Sequence, residues 1–267
     1  MTKSSSLPLW RWSVLLAIGL ASAKGTETRV AQDGEAVLPP IQWTFPRTEP
    51  VIKPGFNGEA DAKRAAACSV VQDGAVYQMY YWGQDKQDQS HVCRARARVD
   101  EPTQWEPMGV ALDGAFPFVL KREKAPWLMY YAQGGIKVAL SSDHGMTWTP
   151  IQENPVLTNA SSPSIIVDHE GQYRMYYTAF GTKYKRPEGV QSAQHGENLP
   201  DIGVGYATSP DGLHWTKPLD GFLIGPRRDK ADPYEFILSR PFVLVEPTGY
   251  RLWANSHSTL YRVRALL

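Results

Sequence analysis

Apolar positions in this chain fall in short runs of about four to six residues that either alternate with polar residues or are wholly apolar. The runs are separated by Asp-Gly, Glu-Gly or Thr-Gly, the turn chemistry of short antiparallel strands and hairpins. Beyond residue 24 no stretch sustains an apolar period of 3.6 residues with caps, so few helices are expected. The runs also repeat. An aromatic-rich phrase occurs four times, as Tyr77-Gln-Met-Tyr-Tyr81, Trp127-Leu-Met-Tyr-Tyr131, Tyr173-Arg-Met-Tyr-Tyr177 and Tyr250-Arg-Leu-Trp253. Each copy follows a β-branched or apolar run: Ser69-Val-Val71, Pro117-Phe-Val-Leu120, Pro163-Ser-Ile-Ile166 and Pro241-Phe-Val-Leu244. Third strands follow at Ile136–Leu140, Ile202–Ala207 and Tyr261–Ala265.

One such sheet cannot bury its own faces, but several packed radially about an axis can. The expected fold is therefore all-β, a β-propeller of four-stranded antiparallel blades, with about four blades visible and the last unfinished at its third strand. Trp43, Trp105, Trp148 and Trp215 mark expected outer strands, after which the chain crosses to the next inner one. The Trp43 segment is a candidate to complete another blade. Three blades are expected to be complete.

Composition narrows the partners more than the fold. With 28 basic and 27 acidic residues the formal net charge is +1, so no strong field favours nucleic acid or an anionic membrane. A neutral or small ligand is expected. Residues 1–23 read as a signal peptide: Lys3 and Arg11 precede the apolar run Trp12–Leu20, and Ala21-Ser-Ala23 supplies small residues for cleavage. The run is shorter than the roughly 20 residues of a membrane span, so no membrane association is expected after cleavage. Residues 24–40 read as a flexible lead-in and 41–267 as the propeller domain, in a secreted or periplasmic protein. Cys68 and Cys93 fall on the first and third strands of one blade, about 9.6 Å apart at two strand spacings. That is too far for a disulfide, and buried thiols are expected.

The phrases Ile202–Trp215, Pro163-Ser-Ile-Ile166 with Tyr173-Arg-Met-Tyr-Tyr177, and Ser239-Arg-Pro-Phe-Val243 resemble the five-bladed propeller glycosidase superfamily. That group includes arabinanases, β-xylosidases, invertases, levansucrases and mannoside phosphorylases. The resemblance covers about residues 41 to 267 and implies a secreted glycoside hydrolase acting on a neutral glycan. Such chemistry needs one carboxylic acid for the leaving oxygen and a carboxylate as base or nucleophile opposite it.

In the resembled fold these groups stand at or just before the inner strands. The matching catalytic candidates here are Asp61, eight residues ahead of Ser69, and Asp232 and Glu235, ahead of Arg240-Pro241. Substrate-binding candidates are Arg240, Asp113 and Trp82, with His195 and Glu197 from the long insertion between Phe180 and Asp201. This chain departs from the resembled pattern where an Asp-Pro pair often opens a catalytic inner strand: it has Ala67-Cys68, Phe116-Pro117 and Ser162-Pro163. A noncatalytic propeller that binds glycan or protein is the alternative those departures leave open. Ser141-Ser-Asp-His-Gly-Met-Thr-Trp148 matches a box that resembles sialidase propellers, but no set of three arginines accompanies it. No metal-ligand spacing joins His91, His195 and His257, so neither a transition metal nor another cofactor is expected.

Overall fold

A computed structural model describes residues 48–183, 200–225, 237–246, 249–257 and 264–266. Within them lie a 3₁₀ turn, Gly58–Asp61, and fourteen strands. Blade one is β1 (Arg64–Asp73), β2 (Val76–Gln84), β3 (Ser90–Arg98) and β4 (Glu106–Asp113). Blade two is β5 (Ala115–Leu120), β6 (Trp127–Ala132), β7 (Ile136–Ser141) and β8 (Thr149–Pro150). Blade three contains β9 (Ala160–Val167), β10 (Tyr173–Lys183) and β11 (Pro200–Ser209), and blade four β12 (Ile237–Glu246), β13 (Gly249–His257) and β14 (Arg264–Leu266). A single parallel pairing, Ile202 with Ile237, links the last two blades into one six-stranded sheet. The fold is an all-β propeller of antiparallel blades.

Blades one to three bury side chains on both faces, which is why their middle strands read as near-continuous apolar runs, whereas blade four leaves Phe242 and Leu244 exposed. Tyr80 and Val92 of blade one pack with Val119, Trp127, Met129 and Trp148 of blade two. The opposite face of blade two, with Leu128, Tyr130 and Val138, meets Ile165, Met175 and Tyr177 of blade three. Ile166, Tyr176 and Val204 then meet Leu238, Val243 and Ala254 of blade four. The outer face of blade one is covered by Ile52, Val51, Phe56 and Ala60. The Trp43 segment lies outside the described residues.

The outer strands of blades two and three are shorter than the repeat implies. β8 has two residues, after which Leu157 bridges back to Ile136; in blade three Thr216 bridges Thr208 and Ile224 bridges Val204. Proline explains the interruption, because Pro150, Pro155 and Pro218 cannot donate to a ladder.

The Ser-Asp-Gly-Trp turns rivet neighbouring blades. In the first, Asp143 accepts hydrogen bonds from Ser141 Oγ (2.7 Å), Thr147 N (2.9 Å) and Thr147 Oγ1 (2.6 Å), and Trp148 Nε1 donates to Gly145 O (3.1 Å). The same carbonyl accepts from Tyr80 Oη of blade one (2.9 Å). Blade three repeats the device: Leu213 N and His214 N donate to Asp211 Oδ1, and Tyr130 Oη of blade two donates to Gly212 O (2.8 Å). The box that resembles sialidases is thus a turn carrying an inter-blade contact.

These turns also set an acid limit on stability. The His214 amide, and next its imidazole, hold Asp211 well below the ordinary carboxylate range. At Asp143 desolvation pushes the value up, but hydrogen bonds led by Thr147 outweigh it and the carboxyl falls to about 2. A carboxylate with a depressed folded pKa contributes stability above its unfolded value, about 3.9, and that contribution disappears as pH falls through the folded value. Urea midpoints should therefore fall between about pH 4 and about pH 2, and Asp143→Asn should flatten that decline. An unchanged decline in the variant would assign the acid limit elsewhere.

Cys68 and Cys93 both pair with Tyr81 across the ladder, one on each side, and both are free thiols. Burial pushes Cys68 up to about 11 and Cys93 to about 12. No helix among the described residues is long and apolar enough to cross a membrane.

Candidate functional site

The four inner strands share one backbone irregularity. Ala67 (φ 49°), Phe116 (φ 51°), Ser162 (φ 47°) and Arg240 (φ 51°) occupy the left-handed region at equivalent places, each at a break in strand register. Three are followed by proline and the first by Cys68. Left-handed backbone costs a non-glycine residue roughly 1–2 kcal/mol, and bulges re-aim the side chain they carry. Bonds between blades hold the irregularity. Arg240 N donates to Thr178 Oγ1 (2.8 Å), Val243 N to Ser164 Oγ (3.0 Å) and Val119 N to Ser69 Oγ (3.0 Å).

These bulges bring separate blades to one place. The Trp82 ring of blade one lies 4.7 Å, centroid to centroid, from Phe116 of blade two. Arg64 Cζ of blade one lies 4.8 Å from the Trp82 ring, and Arg240 Cζ of blade four lies 5.2 Å from Phe116. Blades two and four are separated by blade three along the chain, so contact between Phe116 and Arg240 locates both beside the common axis. Trp82 is buried, and its Nε1 donates to Ser90 Oγ (3.1 Å). It acts as the backing plate for its neighbours, whereas Arg64, Phe116 and Arg240 are each half-buried. Burial first, and the Arg64 charge second, lower the pKa of Arg240.

The sequence candidates distribute unevenly about this centre. Arg240 and Trp82 stand in it. Asp113 is at its rim, on the β4–β5 junction, with its side chain 73% exposed and hydrogen-bonded to His91 Nδ1 (2.8 Å), whose Nε2 meets Asp85 (3.3 Å). Asp61 has no exposed surface. Its carboxylate accepts from Tyr81 Oη (2.6 Å) and from Asn57 N (3.0 and 3.1 Å), on the face of blade one that Ile52 and Ala60 cover. Asp232, Glu235, His195 and Glu197 lie outside the described residues. Among the described residues no three ligand-type side chains gather as a metal site would require.

Arg64 and Phe116 were not among the sequence candidates. Phe116 carried a usable signal, since it precedes Pro117 as Arg240 precedes Pro241. Arg64 opens an otherwise apolar strand, the same cue that singled out Arg240.

Blades, bulges and axial centre together define a β-propeller, and solved structures share its fold. No family model matches the chain. It is 25% identical over 225 residues to the uncharacterised protein Rv1502 of Mycobacterium tuberculosis. That match covers 80% of this chain and 55% of the relative, so the chain spans about half the length of the curated protein it matches. Among solved structures it is similar to a member of the GH130 family of mannoside phosphorylases, which contains glycoside hydrolases that target β-1,2 mannosidic linkages (TM-score 0.58, 14% identity, 78% of this chain and 67% of that one). An exo-1,5-α-L-arabinanase from a bovine ruminal metagenomic library matches over 81% of this chain and 78% of its own (TM-score 0.55, 14% identity). The Cellvibrio cellulosa α-L-arabinanase complexed with arabinohexaose matches over 73% and 69% (TM-score 0.53, 12% identity). At these identities what is shared is the fold.

Proposed function

We propose that this protein is a secreted carbohydrate-active enzyme that holds a glycan at the propeller axis and hydrolyses it there. The observation that carries this reading is the convergence of Arg64, Trp82, Phe116 and Arg240 from three blades on one axial centre. An aromatic ring offers a sugar an apolar face, and guanidinium forks donate to its hydroxyls in fixed directions. The arabinohexaose bound to a protein of this fold supports the ligand class. Asp232 and Glu235, just ahead of the strand that carries Arg240, would supply acid and base, since the Asp61 carboxylate is enclosed. Export rests on the charged and apolar pattern of residues 1–23.

One observation favours a second reading, a propeller that binds glycan without cleaving it. The four bulge positions carry Ala67, Phe116, Ser162 and Arg240, none of them a carboxylate. Product analysis with arabino-, manno- and xylo-oligosaccharides separates the two. Hydrolysis is expected, with Asp232→Asn or Glu235→Gln reducing turnover by about 10² to 10⁴ while the melting temperature holds. Binding without release of product would establish the second reading. Neither binding nor turnover would overturn both.

A further inference from the structure

Beside the axial ring pair, the amide of Gln84 and the hydroxyl of Ser90 keep hydrogen-bonding capacity that the fold does not use. Arg64, Gln84 and Ser90 stand directly opposite one another on β1, β2 and β3, so their side chains form one row across the end of blade one. Trp82, two residues before Gln84, lies on the same face. Two contacts agree: Arg64 Cζ lies 4.8 Å from the Trp82 ring, and Trp82 Nε1 donates to Ser90 Oγ (3.1 Å). The row runs on to the next blade, since Gly114 N donates to Ser90 O (2.9 Å) just ahead of β5 and Phe116. It therefore borders the Trp82–Phe116 pair on the side of blade one.

Gln84 is half-buried, and its Oε1 is enclosed without a donor. The amide is held only through Nε2, which donates to Asp88 O at 3.4 Å, the long end of the range for such bonds. Turning the amide over does not relieve this, because Oε1 would then face the Asp88 carbonyl, one acceptor against another. Ser90 does not serve it either. Its hydroxyl accepts from Trp82 Nε1 and, among the described residues, donates to no acceptor. An enclosed acceptor without a donor destabilises a fold, and a water molecule or a ligand hydroxyl can each supply what is missing.

We infer that Gln84 and Ser90 form a hydroxyl-binding subsite: Gln84 Oε1 accepts from one hydroxyl of a neutral sugar, and the Ser90 hydroxyl donates to the neighbouring one, while the sugar ring lies against Phe116. The inference rests on the carbohydrate reading above and deepens it, since the sugar held here must keep two free hydroxyls on adjacent carbons. A hydroxyl both donates and accepts, so such a pair matches one acceptor and one donor standing side by side.

Titration calorimetry on the full chain tests this with arabino-, manno- and xylo-oligosaccharides and with the monodeoxy analogues of whichever binds. Removing one particular hydroxyl is expected to weaken binding to the parent about tenfold. Gln84→Met should weaken the intact sugar by about the same factor and bind that deoxy analogue as the parent does, because the two changes remove one and the same hydrogen bond. The variant should hold or raise the melting temperature, since it removes an enclosed acceptor that has no donor; a Gln84 with a purely structural role would lower it and leave affinity alone. Ser90→Ala keeps the test open if Gln84→Met fails to fold. It should be blind to the neighbouring hydroxyl in the same way. If water alone serves Gln84, each variant that folds will bind every sugar and analogue within about twofold of the parent. That result would overturn the inference and leave the carbohydrate reading standing. If the parent protein binds none of the sugars, the carbohydrate reading falls and this inference with it.

Discussion

Asp61→Ala is expected to cost on the order of 4 kcal/mol of stability, because each buried polar group left without its partner costs about 1–3 kcal/mol and this change strands two. The groups are Tyr81 Oη, which donates to Asp61 at 2.6 Å, and Asn57 N, which donates to both carboxylate oxygens. The loss would spread through Asn57, whose Nδ2 donates to Tyr81 Oη (2.7 Å) and to Arg94 O (2.9 Å), while its Oδ1 accepts from Gly109 N (2.8 Å). This network clips the segment before β1 to β2, β3 and β4. Ordinary domains are stable by only 5–15 kcal/mol, so the variant should show a large fall in its denaturation midpoint. Asp61→Asn should fall less, since one acceptor oxygen survives. A midpoint within about 0.5 kcal/mol of the parent, together with lost turnover, would return Asp61 to the catalytic role its spacing suggests.

Gly145→Ala is expected to cost about 3–5 kcal/mol, and a second glycine provides the control. Gly145 and Gly171 both have φ +81°, so alanine meets the same left-handed penalty of roughly 1–2 kcal/mol at either site. Their surroundings differ. A Cβ at Gly171 meets nothing within 4 Å, whereas one at Gly145 collides with Tyr80 Oη and approaches the Trp127 ring at 3.1 Å. Tyr80 is wholly buried and donates to Gly145 O, so moving it breaks an inter-blade hydrogen bond and disturbs its packing on Trp148, 5.5 Å away edge to face. Gly171→Ala should therefore cost only the backbone penalty. Equal losses at the two sites, measured by urea denaturation, would show that the turn is not a rivet between blades.

The recurring strand phrases, the turns between them and the boxes ending in Trp148 and Trp215 were all legible because each is a local matter. Period-two patterning, Gly and Asp turn chemistry and the proline after three of the four bulges act within a few residues, and four copies of one phrase leave little choice but radial packing. One strand escaped the repeat. β3, Ser90–Arg98, sets Arg94 opposite Tyr80 where blade two sets Val138 opposite Tyr130, and Arg94 turns inward to donate to Gly145 O and Met108 O.

The site was decided by tertiary structure. Asp61 stands at a spacing that suits an axial acid, but the Gly58–Asp61 turn folds its carboxylate back onto Tyr81 and encloses it. Conversely, nothing near Arg64 in the chain announces Arg240 or Phe116. They meet because two bulges and the start of β1, in three separate blades, aim three side chains at one axis, and the direction of a side chain at a bulge depends on backbone held by the neighbouring blade, as Thr178 holds Arg240. Local patterning is enough to write the blades. Which of their residues face one another requires the blades to be assembled, because contacts between distant parts of a chain have no period in its sequence.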